Sequence, residues 1–502
     1  MLLEMARSGA PDRVGLSCGG EHLTYHALHR AALAAGRVLR EAGRERAALL
    51  DVSSPALPIL LFGSAAAGIP FVPLNYRLTG AELDRLLAEV APATLVTDAE
   101  RAARLTGGSQ PGLRPLAREA FLQAARSGGE GEPAAIEPDA IAVLLFTSGT
   151  TGPPKAAVLR HRHLVSYILG SVEFGAAEEE EATLVSVPPY HVAGIAAILS
   201  SVYAGRRIVQ LPSFDAGGWI DLARRERVTH AFVVPTMLAR IVDELERRRE
   251  RGPETLRALS YGGGKMPLPV IEKAMALFPE TGFTNAYGLT ETSSTLTVLT
   301  PDDHREAAAA EDPAVRRRLV SVGRPLPGIE IEVRDESGKP CGPGERGEIH
   351  VRGEQVSGEY LGREPRLLEG GWFPTRDGGF LDEAGYLFVE GRIDDVIVRG
   401  GENLSPGEIE DTLLTHPAVA DCAVVGVPDA QWGEAVAAVV VLEPGARVEA
   451  PELQQFVRDR LRSSRMPQHV FFLPELPYNE TGKLLRRVVR EDLAARLAGG
   501  AG

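Results

Sequence analysis

The sequence predicts an α/β fold: a large N-terminal domain of doubly wound, mostly parallel sheets, followed by a smaller α+β domain. From residue 23 onward, short apolar strands alternate with helices, which is typical of a parallel sheet covered on both faces. Beyond Gly323 the segments become β-rich and are separated by Gly/Pro turns, which predicts a small β-barrel. Residues after Asp394 carry their own pattern of helices and strands. We therefore expect two domains, residues 1–393 and 394–502.

The elements of the parallel sheets follow from hydrophobic spacing. Leucines and alanines recur at helical spacing in the first helix, and Thr79 and Thr236 are expected to cap two later helices. Short apolar runs between the helices predict the strands. The helices are expected at residues 23–42, 79–87, 161–172, 219–227 and 236–251, and the strands at 45–51, 70–75, 94–97, 141–146, 183–187 and 231–234.

Two stretches of the N-terminal half depart from this alternation. Residues 56–73 are the most apolar, but Pro58 and several small residues interrupt them, so we expect a buried strand and helix rather than a membrane span. Residues 107–133 are rich in Gly, Pro and Arg and are expected to form a surface excursion. Glu4 stands where a secretory signal would be apolar, so no such signal is expected.

The later elements are assigned in the same way. Alternating or β-rich segments predict strands of the small barrel at residues 329–333, 347–351 and 386–389. In the smaller domain, similar runs and a helical pattern predict two strands and a helix. These are expected at residues 419–427, 435–442 and 451–461.

Bulk composition excludes several classes of protein. With 44% apolar and 24% charged residues, the chain is expected to be globular. A formal net charge of −14 argues against a nucleic-acid binder, whose surface would be basic. Cys18, Cys341 and Cys422 lie far apart, which supports neither a disulfide framework nor a zinc site and fits a reducing cytoplasm.

A loop rich in hydroxyls and glycines, ending in a lysine, follows the strand predicted at residues 141–146. Such a loop can surround phosphate oxygens with hydroxyl and backbone donors while the Lys155 ammonium neutralises them. It is not a Walker loop, because Pro153 and Pro154 separate glycine from lysine. A solvated turn after a buried strand is the alternative. The phosphate-binding candidates are Thr147, Ser148, Gly149, Thr150, Thr151, Gly152 and Lys155.

Four motifs in order resemble the adenylate-forming superfamily, which comprises acyl-CoA synthetases, peptide-synthetase adenylation domains and beetle-type luciferases. One Ser/Thr/Gly loop would be weak evidence, but four ordered motifs covering nearly the whole chain make a chance match improbable. The motifs are the loop Thr147 to Lys155, Asn285-Ala-Tyr-Gly-Leu-Thr-Glu291, Gly391-Arg-Ile-Asp-Asp-Val-Ile-Val-Arg-Gly-Gly-Glu-Asn403 and Asn479-Glu-Thr-Gly-Lys483.

The resemblance implies a role for each motif in binding ATP and Mg²⁺. Tyr287 is expected to stack on adenine, the Thr290 hydroxyl to meet the α-phosphate, and Glu291, with Thr151, to bind Mg²⁺ through hard oxygen ligands. Asp377 resembles the aspartate that accepts both ribose hydroxyls, and Arg392 the arginine that assists it. The nucleotide pocket is completed by Gly263, Gly264, Asn285, Ala286 and Gly288.

The resemblance also implies that the C-terminal domain is mobile. Lys483 matches the lysine that enters the active site during adenylation, and Asp394 occupies the hinge position. After rotation, Gly400 and Gly401 would line a pantetheine tunnel, where glycine permits close approach. Trp432 is a candidate for stacking on the adenine of CoA, with a plain core position as the alternative.

The acyl site is expected near His191, which matches a family histidine at the mouth of the acyl pocket, with a packing role as the alternative. Three departures from the family pattern lie close to the motifs. Ala156 and Arg376 each stand where the family has glycine, and Lys265 replaces a proline beside the acyl pocket. Lys265 could pair with a second substrate carboxylate or remain solvated. Residues 463–468 lack the family's aromatic, although Arg465 keeps the basic charge.

These observations together predict an ATP-dependent ligase that converts a carboxylic acid to acyl-AMP and then transfers the acyl group to coenzyme A. The alternative is an adenylation-only enzyme that passes the acyl group to a carrier protein or a partner enzyme. An amino-acid-activating module is less well supported, because residues 188–194 offer no aspartate to hold an α-amine, and Lys155, Glu291, Asp377 and Lys483 together argue against a non-catalytic binder. A luciferase-like oxidase shares every one of these motifs and would be recognised by oxygen uptake or light. The sequence does not identify the acid, and it leaves a homodimer open.

Overall fold

The computed structural model describes residues 1–106, 110–129, 131–147, 155–429, 431–479 and 483–498. Within these ranges the α-helices are α1 (Leu2–Gly9), α2 (Tyr25–Ala42), α3 (Ala56–Ala67), α4 (Gly80–Val90), α5 (Ala99–Thr106), α6 (Arg118–Ser127), α7 (His161–Ser171), α8 (Val192–Ala204), α9 (Ala216–Arg225), α10 (Pro235–Arg248), α11 (Leu268–Leu277), α12 (Pro301–Ala309), α13 (Pro313–Arg316), α14 (Pro406–Leu414), α15 (Ala450–Arg458) and α16 (Arg486–Ala498).

The strands form four sheets. In chain order the described strands are β1 (Val14–Cys18), β2 (Glu21–Thr24), β3 (Arg46–Leu50), β4 (Phe71–Pro73), β5 (Ala93–Thr97), β6 (Leu113–Ala117), β7 (Ile141–Thr147), β8 (Lys155–Arg160), β9 (Ala182–Val185), β10 (Arg207–Gln210), β11 (His230–Val233), β12 (Ala258–Gly262), β13 (Gly282–Leu289), β14 (Ser294–Leu299), β15 (Arg324–Pro325), β16 (Glu330–Arg334), β17 (Gly347–Arg352), β18 (Phe373–Leu381), β19 (Leu387–Arg392), β20 (Ile397–Arg399), β21 (Glu402–Leu404), β22 (Val419–Asp429), β23 (Gly433–Leu442) and β24 (His469–Phe472).

The first sheet has six strands in the order β6-β5-β3-β4-β7-β8 and is parallel except for the β7–β8 hairpin. Helix α3 lies against α2, and a Cβ atom built on Gly63 would lie 2.7 Å from the Cβ of Ala35, so these helices meet at small residues. Helix α3 is buried on nearly all sides, which explains why its sequence is apolar throughout. Across the described ranges, none of the helices combines the length and the apolar character that crossing a membrane requires.

The second sheet has nine strands in the order β15-β14-β13-β12-β11-β9-β10-β1-β2. Its strands β9, β11, β12 and β13 are mutually parallel, so their carboxyl ends meet at one edge. In open parallel sheets this edge is where ligands usually bind. His191 follows β9, Val234 follows β11, Gly263 follows β12, and Tyr287 with Glu291 lies at the end of β13.

The region expected to form a small barrel contains a four-stranded antiparallel sheet in the order β16-β17-β18-β19. The long strand β18 was not anticipated from the sequence. Its register with β19 places Asp377 directly opposite Arg392. This sheet therefore supplies two of the expected nucleotide-binding residues as a cross-strand pair.

The smaller C-terminal domain has a sheet in the order β21-β20-β23-β22, with β24 parallel to β23, and helices α14, α15 and α16. Arg486, at the start of α16, forms two hydrogen bonds with Glu410 of α14, at 2.6 and 2.7 Å. Glu410 is buried and also accepts a hydrogen bond from the backbone N–H of Val424 at 2.7 Å. These hydrogen bonds fix the position of Arg486, the first residue of α16, which lies three residues after Lys483.

Two expectations for the N-terminal half are wrong in detail. Residues 107–133 are not a simple excursion, because β6 extends the first sheet and α6 buries Phe121 and Ala125 against the core. The flanking Gly, Pro and Arg residues obscured this short amphipathic pattern. Thr236 does not cap its helix. Helix α10 begins one residue earlier, at Pro235, whose fixed φ and missing N–H suit the first helical position.

The Arg486–Glu410 pair gives a test of what stabilises the C-terminal domain. Arg486→Met leaves the buried Glu410 carboxylate without its cation, so the domain should lose about 3 kcal/mol of stability. Native-state hydrogen exchange of the β22 amides measures this loss. Arg487→Met is the matched control, because the Arg487–Glu491 pair is solvent-exposed and should contribute less than about 1 kcal/mol. Equal effects of the two substitutions would contradict the assignment.

Candidate active site

The buried carboxylate of Asp377 lies at the centre of the site and is only 6% exposed. The Tyr287 hydroxyl donates to Asp377 Oδ2 at 2.7 Å, and Arg392 Nε lies 3.2 Å from Asp377 Oδ1. Arg392 is itself fixed by a 2.8 Å hydrogen bond from Nη1 to the carbonyl oxygen of Thr375. The carboxylate is therefore held in one orientation by partners from two sheets.

Burial dominates the electrostatics of this cluster. It raises the pKa of the Asp377 carboxyl, while the Arg392 cation and the Tyr287 hydroxyl act in the opposite direction. Burial and the neighbouring carboxylate also raise the pKa of Tyr287 well above its ordinary value, so the phenol stays protonated and can donate. Asp377 is thus a fixed acceptor, as binding of two sugar hydroxyls requires.

Glu291 lies in a short 3-10 turn, Thr290–Thr292, directly after β13. The Tyr360 hydroxyl donates a short hydrogen bond to Glu291 Oε1, and the backbone N–H of Ser357 donates to the Glu291 carbonyl at 2.9 Å. Tyr360 also forms a β-bridge with Ala157 of β8. The segment from Ser357 to Tyr360 therefore joins Glu291 to the strand that begins at Lys155.

The two ends of the expected phosphate loop are paired in the β7–β8 hairpin. Thr147 is the register partner of Lys155, and the Thr147 hydroxyl donates to the Lys155 carbonyl at 3.3 Å. Ala156, which replaces the family's glycine, is buried and its carbonyl accepts from the Leu361 N–H at 2.9 Å. The intervening candidates, Ser148, Gly149, Thr150, Thr151 and Gly152, lie outside the described residues.

Lys483 of the C-terminal domain lies among charged groups of the N-terminal site. Desolvation by the surrounding protein lowers its pKa although the residue keeps contact with solvent, and the Arg392 cation acts in the same direction. The carboxylates of Asp377, Asp395 and Glu291 oppose this shift. The structure therefore brings Lys483 into the same electrostatic environment as the Asp377 and Glu291 clusters.

His191 lies beside Gly263 at the carboxyl edge of the second sheet. The backbone N–H of Ala193 donates to His191 Nδ1 at 3.1 Å, which leaves Nε2 as the protonated nitrogen of the neutral ring. Burial lowers the pKa of His191 to about 4, so the ring is uncharged near neutral pH. A Cβ atom built on Gly263 would lie 3.8 Å from His191 Nε2 and 3.7 Å from Val234 Cγ1. His191 and Val234 thus border the space beside Gly263.

The remaining residues expected at the nucleotide pocket lie on or beside β12 and β13. Gly264 is exposed next to Gly263. Asn285 is buried and donates from Nδ2 to the Ser321 carbonyl at 2.9 Å, which fixes the strand. A Cβ atom built on Gly288 would lie 1.7 Å from the Ser294 carbonyl oxygen, so only glycine fits there. For Ala286 and the Thr290 hydroxyl, the expected contacts with the nucleotide stay predictions.

Gly400, Gly401 and Trp432 form a separate cluster on the C-terminal sheet. The Gly400 N–H donates to the Trp432 carbonyl at 2.7 Å, and a Cβ atom built on Gly400 would lie 2.8 Å from Trp432 Cε3. Trp432 is 43% exposed, with the Arg399 guanidinium 5.5 Å from its ring centroid, so it is not a core residue. Arg465 forms 2.7 Å hydrogen bonds to both Glu402 and Glu408 and is therefore already neutralised.

Lys265 and Arg376, which depart from the family pattern, both make contacts that the sequence did not predict. Lys265 Nζ lies 2.5 Å from Asp411 Oδ1, so its ammonium faces the C-terminal domain. Arg376 has a φ of +64°, in the region that favours glycine, and its Nη2 lies 2.5 Å from Asp394 Oδ1. Tyr360 was also missed, because no local pattern marks a tyrosine that contacts a residue so distant in sequence.

The residues around Glu291 fit one Mg²⁺ ion held mainly by substrate oxygens. In the described ranges no cluster of three or more His, Cys, Asp or Glu side chains could form an all-protein metal site. Mg²⁺ commonly binds through one or two carboxylates together with substrate phosphates and water. A single oriented carboxylate, as Glu291 presents, matches that donor set.

Comparisons with known proteins agree with this arrangement. The family model for the AMP-binding enzyme matches residues 3–361, and that for the AMP-binding enzyme C-terminal domain matches residues 408–483. Two relatives align over 96% of the chain. The fatty acid–[acyl-carrier-protein] ligase ScoC of Streptomyces coeruleorubidus is 33% identical, over 93% of its own length. The feruloyl-CoA synthase of an Amycolatopsis species is 35% identical, over 96% of its length.

A solved structure shows the same fold with ligands. The o-succinylbenzoate CoA synthetase of Bacillus subtilis in complex with its acyl-adenylate superposes with a TM-score of 0.83 at 29% identity, covering 97% of each chain. The same synthetase has been solved with ATP and a magnesium ion. Since the two family models together span both domains and the clusters described above, this chain belongs to the AMP-binding enzyme family, within the adenylate-forming superfamily of acyl-CoA synthetases.

Proposed function

We propose that this protein is an AMP-forming acid–CoA ligase, which activates a carboxylic acid with ATP and transfers the acyl group to coenzyme A. The observation that carries the proposal is the convergence of three groups from both domains: Asp377 with Arg392, Glu291 with Tyr360, and Lys483. Each group suits one demand of the chemistry, namely ribose binding, holding the Mg²⁺ that neutralises phosphate charge, and stabilisation of developing charge.

In the first half-reaction, a carboxylate oxygen of the acid attacks the α-phosphorus of ATP and the bond to the pyrophosphate oxygen breaks. The products are acyl-AMP and pyrophosphate. Asp377 holds the ribose, Lys155 and Lys483 oppose the charge on the phosphate oxygens, and Glu291, with Thr151 as the second expected ligand, would hold Mg²⁺. That ion neutralises phosphate charge when bound. The neutral His191 borders the acyl group and offers an Nε2–H donor without adding charge.

In the second half-reaction, the sulfur of coenzyme A attacks the acyl carbon, the bond to the AMP oxygen breaks, and the thiol proton is lost to solvent. We infer that the C-terminal domain, beginning at residue 394, rotates to present Gly400 and Gly401 for this step. The exposed Trp432 beside Gly400 supports a role in binding the adenine of CoA, because an exposed indole can stack on a base. The two family matches end at 361 and resume at 408, which is consistent with a hinge near Asp394.

The acceptor and the acid are the finer parts of the proposal. The feruloyl-CoA synthase is named for coenzyme A and the ligase ScoC for an acyl-carrier protein, so a carrier protein is the second candidate acceptor. The names also differ in the acid: a fatty acid, ferulic acid and succinylbenzoate. Lys265 contacts Asp411, which disfavours a role in binding a second substrate carboxylate. We place the enzyme in the cytoplasm because its three cysteines are free, and a homodimer remains a candidate state.

Mass spectrometry tests the function directly. Purified protein is incubated with ATP, Mg²⁺ and a panel of fatty, aryl and alicyclic acids, each with and without coenzyme A. Acyl-CoA should appear with at least one acid, and that acid identifies the substrate class. Accumulation of acyl-AMP that coenzyme A does not discharge would instead support a carrier protein or partner enzyme. ATP binding without turnover of any acid would contradict the proposal.

Lys483→Met should separate the two half-reactions. Loss of the ammonium removes a charge that stabilises the first transition state, so acyl-AMP formation should fall about 100-fold or more. Thioester formation from supplied acyl-AMP and coenzyme A should remain, because Lys483 is withdrawn in that step. Single-turnover assays measure both rates. Lys339→Met, which changes an exposed lysine in a turn, is the control and should leave both rates unchanged.

Asp394→Pro should give the reciprocal result. A proline restricts φ at the hinge, so acyl-AMP formation should persist while thioester formation is lost. Asp394→Asn is the matched control, because it removes the ion pair with Arg376 but leaves the backbone free, and it should change each rate by no more than a few-fold. Equal loss of both half-reactions in the proline variant would refute the hinge position.

A further inference from the structure

Beyond the hinge, the two domains meet at a charged contact formed by Lys265 and helix α14. Lys265 Nζ lies 2.5 Å from Asp411 Oδ1 and donates to the Gly407 carbonyl at 3.2 Å. Lys265 follows β12 in the N-terminal domain, whereas both partners belong to the C-terminal domain. The ammonium therefore joins the domains by one ion pair and one backbone hydrogen bond.

The contact between the domains is tightly packed at Gly407. A Cβ atom built on Gly407 would lie 2.4 Å from the Glu390 carbonyl oxygen of β19, which is well inside van der Waals contact. Its φ is not in the left-handed region, so the backbone itself would accept another residue. Glycine is needed here because the amino end of α14 lies directly on the backbone of β19.

A second cation extends the contact along the same helix. Arg346 Nε lies 2.8 Å from Glu390 Oε2, and Arg346 Nη2 lies 3.7 Å from Glu408 Oε1. Helix α14 thus presents Glu408 and Asp411 to two cations of the N-terminal domain. In this same arrangement, Lys483 lies in the environment of Asp377 and Glu291.

We propose that Lys265 is a positioning residue for acyl-AMP formation: with Asp411, and with Gly407 as the contact point, it holds the C-terminal domain where Lys483 enters the site. This inference rests on the proposed two-step function. Lys265 acts through the C-terminal domain and not through the substrate, since Asp411 and the Gly407 carbonyl occupy its ammonium. The contact must break before the domain can rotate for thioester formation. The partly exposed Lys265–Asp411 ion pair is strong enough to favour the arrangement in which Lys483 enters the site. It is also weak enough to break when the domain rotates.

Charge reversal tests the ion pair. Asp411→Lys places two cations face to face, so acyl-AMP formation should fall by about two- to fivefold. Thioester formation from supplied acyl-AMP should stay equal or rise, because that step needs the contact open. Lys265→Asp combined with Asp411→Lys should restore the ratio of the two rates. If the double variant shows only the summed losses of the single variants, or if Asp411→Lys slows both steps equally, the proposal is overturned.

Gly407→Ala tests the contact point without changing charge. Alanine is a better helix former than glycine, so α14 should still fold, but the methyl group displaces the helix from Glu390. Acyl-AMP formation should fall while thioester formation is retained. Gly170→Ala is the matched control, since a Cβ atom there would be at an ordinary 3.8 Å from its nearest neighbour, the Pro327 carbonyl. An unaltered Gly407→Ala enzyme would contradict the packing argument.

Hydrogen–deuterium exchange separates failure of this inference from failure of the proposed function. In the substrate-free protein, Asp411→Lys and Gly407→Ala should both speed exchange of the α14 and β19 amides relative to wild type. This result does not depend on turnover. A wild-type protein that activates no acid would refute the ligase, whereas unchanged exchange in both variants would refute the positioning role of Lys265.

Discussion

The buried ion pair between Asp377 and Arg392 is the constraint on which the rest of the site depends. A carboxylate with 6% exposure needs a cation and hydrogen-bond donors to remain in the protein interior. Arg392 and Tyr287 supply these groups from different sheets. The antiparallel sheet and the nine-stranded sheet must therefore pack in one relative position for Asp377 to contact both residues. The packing of the two sheets therefore also determines the geometry of the expected nucleotide pocket.

The C-terminal domain contributes the Lys483 cation to the surroundings of this pair. Its own rigidity comes from the Arg486–Glu410 network, which sets the start of α16, whereas its position on the large domain comes from polar contacts of Lys265 and Arg346. Buried pairs are costly to break, and partly exposed pairs are not. The chain thus uses strong interactions within each domain and weaker interactions between the domains, which suits the rotation of the C-terminal domain proposed above.

The sequence predicted the parts of this architecture that have a local signature. The alternation of apolar strands and helices, the Tyr287 to Glu291 segment and the position of Lys483 all follow from short patterns or ordered motifs. Strand β18, helix α6, and the contacts of Tyr360 and Lys265 were missed. Those features depend on residues that are distant in sequence, so neither spacing nor propensity carries a signal for them. Lys265 shows this most clearly, because its partner is in another domain.

Arg376 and Asp377 are neighbours on β18, and Arg376 is exposed whereas Asp377 is buried. Asp377 pairs with Arg392, while Arg376 pairs with Asp394, the proposed hinge residue, from a left-handed backbone conformation. One peptide unit thus joins the partner of the proposed hinge residue to the residue proposed to hold the ribose. A physical connection of this kind permits thermodynamic linkage, and linkage is reciprocal. A nucleotide that biases the proposed hinge through this strand therefore has its own affinity biased by the hinge by the same factor.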